Sequence, residues 1–276
     1  MAIKDILVLT DLVNTDMPAS EAAVDLAVRL DSHVTAVSLA VEPVLPSLMI
    51  APVPDTAISE LRERAEKEAE AAASRFVAIA ERSNARYETR ILSSLAGGII
   101  DAFVPQVRLT DLIVISQEHD DKPEPHRTEI IEAALFSSGR PVVLVPSVGQ
   151  KTITGKRMTI AWDGSRTAVR AVHSALPLLS LASHVDVAMV DAASAKTRED
   201  GADLARYLAR HDLDVEIHHL QKNGSIAETL LTFAADKDSG CMVMGGYGHS
   251  RMREFILGGV TRDALRNATV PVLLAH

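Results

Sequence analysis

Cys241-Met242-Val243-Met244-Gly245-Gly246-Tyr247-Gly248-His249-Ser250, followed by Gly258-Gly259-Val260-Thr261, is the stretch that decides the fold. Its apolar opening, Cys241 to Met244, reads as a buried strand, and Val260 to Asn267 has helical character. Strand, glycine loop and helix follow in the order that a phosphate-cradling loop requires. Glycines let the backbone approach an anion and turn its N–H groups outward. The N-terminus of the next helix adds free donors and a favourable dipole. The bland alternative is a tight loop that closes a strand and holds nothing. Its place in a parallel sheet favours function, because such sheets bind ligands beyond the carboxyl ends of their strands.

Working outward, the chain repeats itself. Ile6-Leu7-Val8-Leu9-Thr10-Asp11 opens the first half and Met158-Thr159-Ile160-Ala161-Trp162-Asp163 the second. Each is a short apolar run that ends in aspartate before a helix-start signal, Ser20-Glu21 in one case and Ser165 in the other. Pro141-Val142-Val143-Leu144-Val145-Pro146 closes the first half as Pro271-Val272-Leu273-Leu274-Ala275-His276 closes the second. Strands are expected near 3–10, 33–41, 85–91, 111–116 and 141–145, then near 157–162, 184–190, 213–219, 240–245 and 270–275. Helical patterns fill the gaps, including a long one near 55–83. This alternation predicts an α/β fold of two tandem Rossmann-like domains, each a five-stranded parallel sheet with helices on both faces. The expected domains are residues 1–147 and 157–276, and the polar stretch Ser147 to Lys156 is the expected linker.

Composition supports this reading. Of 276 residues, 47% are hydrophobic and only 3% aromatic, as parallel strands under Ala- and Leu-rich helices require. The net charge of −9 disfavours nucleic acid and anionic lipid as partners. No apolar run is long enough for a transmembrane helix, and the N-terminus lacks a signal-peptide layout. A single cysteine, Cys241, reads as a core residue and suits a reducing cytoplasm.

Taken together, these residues resemble the universal stress protein family in its tandem form. Nucleotide-binding members carry a glycine, two residues, a glycine, nine residues, then glycine with Ser or Thr. Here Gly245, Gly248 and Gly258 occupy the glycine positions, with Gly259 where the hydroxyl residue stands. Asp163 and Val190 also match nucleotide-contacting positions. The resemblance implies an adenine nucleotide alpha hydrolase-like fold and a role in stress-response regulation. It further implies ATP, with or without Mg²⁺, held by the second half. Ala161, Trp162, Asp163, Val190, Met244, Gly245, Gly248, His249, Ser250, Gly258, Gly259, Val260 and Thr261 are the implied binding residues. It also implies that the two halves pair as an intramolecular pseudo-dimer, with a homodimer left open.

Two departures matter. Gly259 keeps a backbone N–H but forgoes a hydroxyl whose bond to a phosphate is worth about 1.5–3 kcal/mol. Thr261 is the available substitute. In the first half, Ser116 to His126 stands where the glycine loop belongs. It has no glycine and brings four carboxylates, Glu118, Asp120, Asp121 and Glu124, toward the phosphate position. That half is therefore expected to bind no ATP in the family manner, although Asp11 survives as its first-strand aspartate.

The remaining candidates carry bland readings beside functional ones. Asp163 meets a nucleotide or caps a helix, and the two roles are compatible. Arg251 supplies charge or pairs with Glu254, and for Arg253 the ion pair is the stronger reading. His218-His219 lies on a strand whose neighbours face opposite ways, so the pair does not chelate one ion; no metal site is expected. Neither a nucleophile elbow nor a Gly-x-x-x-x-Gly-Lys-Ser/Thr loop is present, so the expected protein is not an enzyme beyond slow ATP hydrolysis. The enzyme alternative is that hydrolysis or a flavin-dependent activity. The binding alternative is a scaffold that docks a protein partner without nucleotide.

Overall fold

A computed structural model describes residues 2–42, 55–118, 121–191, 195–246 and 259–276. The chain forms two compact units, Lys4–Arg140 and Pro141–His276, the latter joined by the chain's first residues.

In the first unit, β1 (Asp5–Leu9), β2 (His33–Glu42), β3 (Arg86–Leu95) and β4 (Leu112–Ser116) form a parallel sheet in the order β3-β2-β1-β4. Helices α1 (Pro18–Leu30), α2 (Asp55–Arg82), α3 (Ile99–Val107) and α4 (Arg127–Ser137) supply the connections. Ile6, Leu7, Val8 and Leu9 are all buried, which is why β1 reads as an unbroken apolar run rather than an alternating one. Each such side chain contributes about 1.5–3 kcal/mol of transfer free energy. Helix α1 starts earlier than the Ser20-Glu21 signal suggests. Pro18 takes its first turn, where a missing N–H costs nothing, and Ser20 is buried inside the helix. The apolar stripe of α2 is buried at Ala69, Ala72, Phe76 and Ile79, whereas Ile58 is exposed.

The second unit contains β5 (Val142–Val145), β6 (Arg157–Ala161), β7 (His184–Val190), β8 (Val215–Leu220), β9 (Met242–Gly245) and β10 (Val272–Ala275). Its helices are α5 (Arg166–Leu179), α6 (Ala195–Ala209), α7 (Ile226–Asp236) and α8 (Val260–Asn267). The strand order is β5-β10-β9-β6-β7-β8. Within this unit β5 runs antiparallel to β10, pairing Leu144 with Val272 and Val142 with Leu274, while the other pairs are parallel. The last strand of the first repeat thus covers the edge strand of the second. Ser165 caps α5 by accepting from the Ala168 amide, as expected, and Ser225 with Glu228 builds a capping box on α7.

The expected linker is tied down rather than loose. The Gln150 amide donates to the Thr269 carbonyl at 2.9 Å, and Ile153 is buried. Gly149 has φ +93°, and a Cβ there would lie 2.4 Å from the Thr269 oxygen. A polar segment anchored by one apolar side chain behaves as part of the unit.

Candidate functional site

The second unit gathers most of the expected nucleotide residues at one end of its sheet. Strands β6 and β9 are parallel neighbours, with Ile160 beside Val243, so β6 ends at Ala161 level with Met244 and β9 runs one residue further to Gly245. On the other flank Ala161 pairs with Ala188, and Val190 lies two residues further along β7. Helix α8 is the crossover between the parallel neighbours β9 and β10, so its N-terminus starts at the end where β9 finishes. Gly259 is its N-cap, in extended conformation, and no side chain caps the helix. The first-turn amides, Val260 and Thr261 among them, are the donors that a polyanion would meet. Gly248, His249, Ser250 and Gly258 lie outside the described residues, as do Arg251, Arg253 and Glu254.

Several side chains have local duties. A Cβ on Gly245 would stand 2.6 Å from the Ala168 nitrogen and from Thr167 Oγ1. Glycine is therefore required here by the first turn of α5, whatever the loop beyond it holds. Asp163 is exposed, and its Oδ1 accepts from the Ser165 amide at 2.9 Å across Gly164, which has φ +73°. This is the turn role that the Asp-Gly-Ser spacing allows. Met244 and Thr261 are buried. The Trp162 amide donates to the Ala188 carbonyl at 2.9 Å, while its buried Nε1 has no hydrogen-bond partner among the described residues. Trp162 lines a pocket of about 440 Å³ with Val169, Val172, His173, Leu204 and Tyr207. That pocket is walled by α5 and α6; Gly245 and Val190 do not line it. Burial pushes the Cys241 thiol up to about 12, which leaves it inert as a nucleophile.

The first unit uses the equivalent position differently. Asp11, just beyond β1, is fully buried. It accepts from Ser116 Oγ at 2.7 Å and from Arg127 Nη2 at 2.9 Å. Burial raises its pKa to about 6, against the lowering effect of Arg127 and the Ser116 hydrogen bond. Beside it, Glu124 folds inward. Its Oε2 accepts from the Leu12 amide at 3.0 Å, and its Oε1 accepts from Val13 at 2.8 Å and Asn14 at 3.0 Å. Arg127 stands 3.6 Å from the same carboxylate. Arg75 steadies the loop by donating to the carbonyls of Asp11 and Leu12. The acid-rich loop thus does more than repel anions: one carboxylate occupies a nest of backbone amides. Of the other acids, Glu118 accepts from the Glu124 amide at 2.9 Å, Asp121 is exposed and Asp120 lies outside the described residues. Glu124 was legible only as one acid of four, and Arg127 and Arg75 carried no signal in the sequence.

The sequence model of the universal stress protein family matches residues 155–276. Over these residues the chain is similar to the universal stress protein family. Universal stress protein Slr1230 of Synechocystis is 25% identical over 171 residues, covering 59% of this chain and 57% of that protein. The chain therefore matches little more than half the length of this relative. A universal stress protein structure from Archaeoglobus fulgidus superposes with a TM-score of 0.72 at 16% identity, covering 98% of this chain and 95% of the other. A functionally unknown protein from Pseudomonas aeruginosa, PA1789, gives 0.61 at 17% identity over 99% of this chain and 92% of its own. At such identities the likeness is one of fold alone, and it spans both halves of the chain.

Proposed function

We propose that the second half binds an adenine nucleotide, ATP being the expected one, and that binding serves regulation in a stress response. The observation that carries this reading is the spacing of Gly245, Gly248 and Gly258 between the C-terminal end of a parallel strand and an α8 N-terminus without a side-chain cap. Asp163, Ala161, Trp162 and Val190 would border the adenosine end, and the amides at Gly259, Val260 and Thr261 would meet the phosphates. His249 and Ser250 would complete the loop. Mg²⁺ would travel with the phosphates: among the described residues no group of three metal-ligating side chains stands at this end of the sheet. The reading is one of binding, with hydrolysis slow at most, because the loop lacks the phosphate-gripping lysine of ATPases. The two halves form a tandem repeat, domains 1–147 and 157–276, in which the first is a degenerate copy. The protein would act in the cytoplasm. No described helix is long and apolar enough to cross a membrane.

A second reading is favoured by Glu124 and Gly259. With the first half filled by its own carboxylate and the second short of a hydroxyl, the chain would act as a nucleotide-independent scaffold for a protein partner. Titration calorimetry with ATP and Mg²⁺ separates the two. Saturable heat, lost in Gly248→Val, is expected; no heat or thermal protection at millimolar nucleotide overturns the binding reading.

A further inference from the structure

We propose that His184, Asp186, Glu216 and His218 form a binding site for a divalent metal ion of the zinc class on the β7–β8 strand pair. His184 and Asp186 alternate on β7, and Glu216 and His218 alternate on β8, so each pair shares one face of the sheet. The parallel register sets Asp186 directly beside Glu216. Ligand atoms of His184, Asp186 and Glu216 lie within 4.8 Å of one another as a result, and His218 stands beside them. His184 Nε2 lies 3.6 Å from both Asp186 Oδ1 and Glu216 Oε2. His218 Nε2 lies 2.7 Å from the same Asp186 oxygen and 3.4 Å from the same Glu216 oxygen. Zinc bonds of about 2.0–2.1 Å in a tetrahedron separate neighbouring ligand atoms by about 3.3 Å. The two His184 edges and the His218–Glu216 edge stand within a few tenths of an ångström of that spacing, and the His218 ring would move off the Asp186 oxygen to take the fourth position.

The surroundings favour a metal over a bare ion-pair network. His184 Nδ1 is held by Asp214 Oδ2 at 2.7 Å, the carboxylate–histidine arrangement that orients a ligating ring. Its Nε2, aimed into the cluster, is buried and has no hydrogen-bond partner among the described residues. Asp186 is fully buried; its Oδ2 pairs with Arg157 Nε at 2.5 Å, and its Oδ1 faces both histidines while accepting a longer bond from Arg157 Nη2 at 3.3 Å. The His218 ring is fixed against Phe233, with centroids 4.9 Å apart. Two neutral imidazoles, two carboxylates and a divalent ion sum to zero charge, and Asp214 balances the Arg157 guanidinium that borders both carboxylates. Imidazole with carboxylate and no sulfur suits Zn²⁺ and its neighbours in the first transition row. Glu216, whose side chain is 54% exposed, leaves an entry path. Four protein ligands leave no open position, so the ion would clamp the edge strand β8 to β7 rather than catalyse.

The alternative is that Arg157 and the two histidines simply share the carboxylates. Tag-free full-length protein, stripped by chelator and free of nucleotide, decides between them when titrated with Zn²⁺ in calorimetry and with Co²⁺ in visible absorption. One zinc per chain and the intense bands of tetrahedral cobalt are expected. Glu216→Gln and His184→Ala each lower zinc affinity at least about 10-fold, and Asp214→Asn lowers it about 10- to 100-fold. Glu216 and Asp214 are exposed enough that circular dichroism of their variants stays at wild type. Absence of zinc uptake by the wild type, or wild-type affinity in both Glu216→Gln and His184→Ala, overturns the proposal.

Discussion

Asp11 and Glu124 show how one buried arginine, Arg127, serves two carboxylates while three backbone amides hold one of them. Removing Glu124 orphans those amides and leaves Arg127 with a single partner. Glu124→Ala is therefore expected to cost on the order of 3–5 kcal/mol, measured by urea denaturation. Glu124→Gln keeps an acceptor oxygen and costs less; equal losses would remove the amide nest as the cause. Asp11 has a folded pKa near 6, above the ordinary 3.8. Its folded state binds a proton more readily than its unfolded state, so its contribution is fully present below about pH 4 and is lost as pH rises through 6. The stability of wild type relative to Asp11→Asn is expected to rise by about 3 kcal/mol between pH 7 and pH 4, at about 1.4 kcal/mol per unit. A flat difference between paired pH series of denaturation curves would contradict this. Sequence showed that Asp11 ends a strand and that its neighbouring loop is acidic. Which acid turns inward depends on a fold that places residues 12–14 and 124 together, and no local pattern encodes that.

At the scale of elements, strands were read most faithfully. Buried strands such as β1, β4 and β7 announce themselves as apolar runs, and the ten strands stand close to their expected positions. The helix start at Ser165 was legible because a side chain makes the cap, and the start of α1 was misplaced because backbone geometry sets it at Met17-Pro18. Gly245 was read as a phosphate-facing glycine, but its described environment is the first turn of α5. Gly245→Ala is expected to destabilise the protein by about 1–3 kcal/mol in the absence of any nucleotide, because the added methyl meets backbone that cannot move aside. Thermal unfolding of the nucleotide-free variant measures it; an unchanged midpoint would return Gly245 to a purely ligand-facing role. The His184, Asp186, Glu216 and His218 cluster lay beyond sequence reading for a related reason. The adjacent histidines 218 and 219 drew attention as a pair, yet the relevant neighbours of His218 are Glu216, the alternate residue on its own strand, and Asp186 from β7.

For the whole molecule, the pairing of β5 with β10 is the feature with most consequence. Val272, Leu273 and Leu274 are buried, and β5 satisfies the hydrogen-bonding edge that they would otherwise expose. A fragment of residues 147–276 loses that cover and is expected to self-associate through β10 more strongly than a fragment of residues 141–276. Analytical ultracentrifugation compares them, and identical sedimentation would show that β5 does not guard this edge. The sequence by itself determined the α/β class, the repeated strand order, the glycine spacing and the loss of that spacing in the first half, since hydrophobic period and backbone freedom are written residue by residue. Tertiary structure alone decided that Glu124 fills the first unit's amide nest, that β5 runs against β10, and that two histidines and two carboxylates meet across a strand pair. Each of these is a contact between residues at least thirty positions apart, brought together by sheet register and crossover, which no local pattern of side chains specifies.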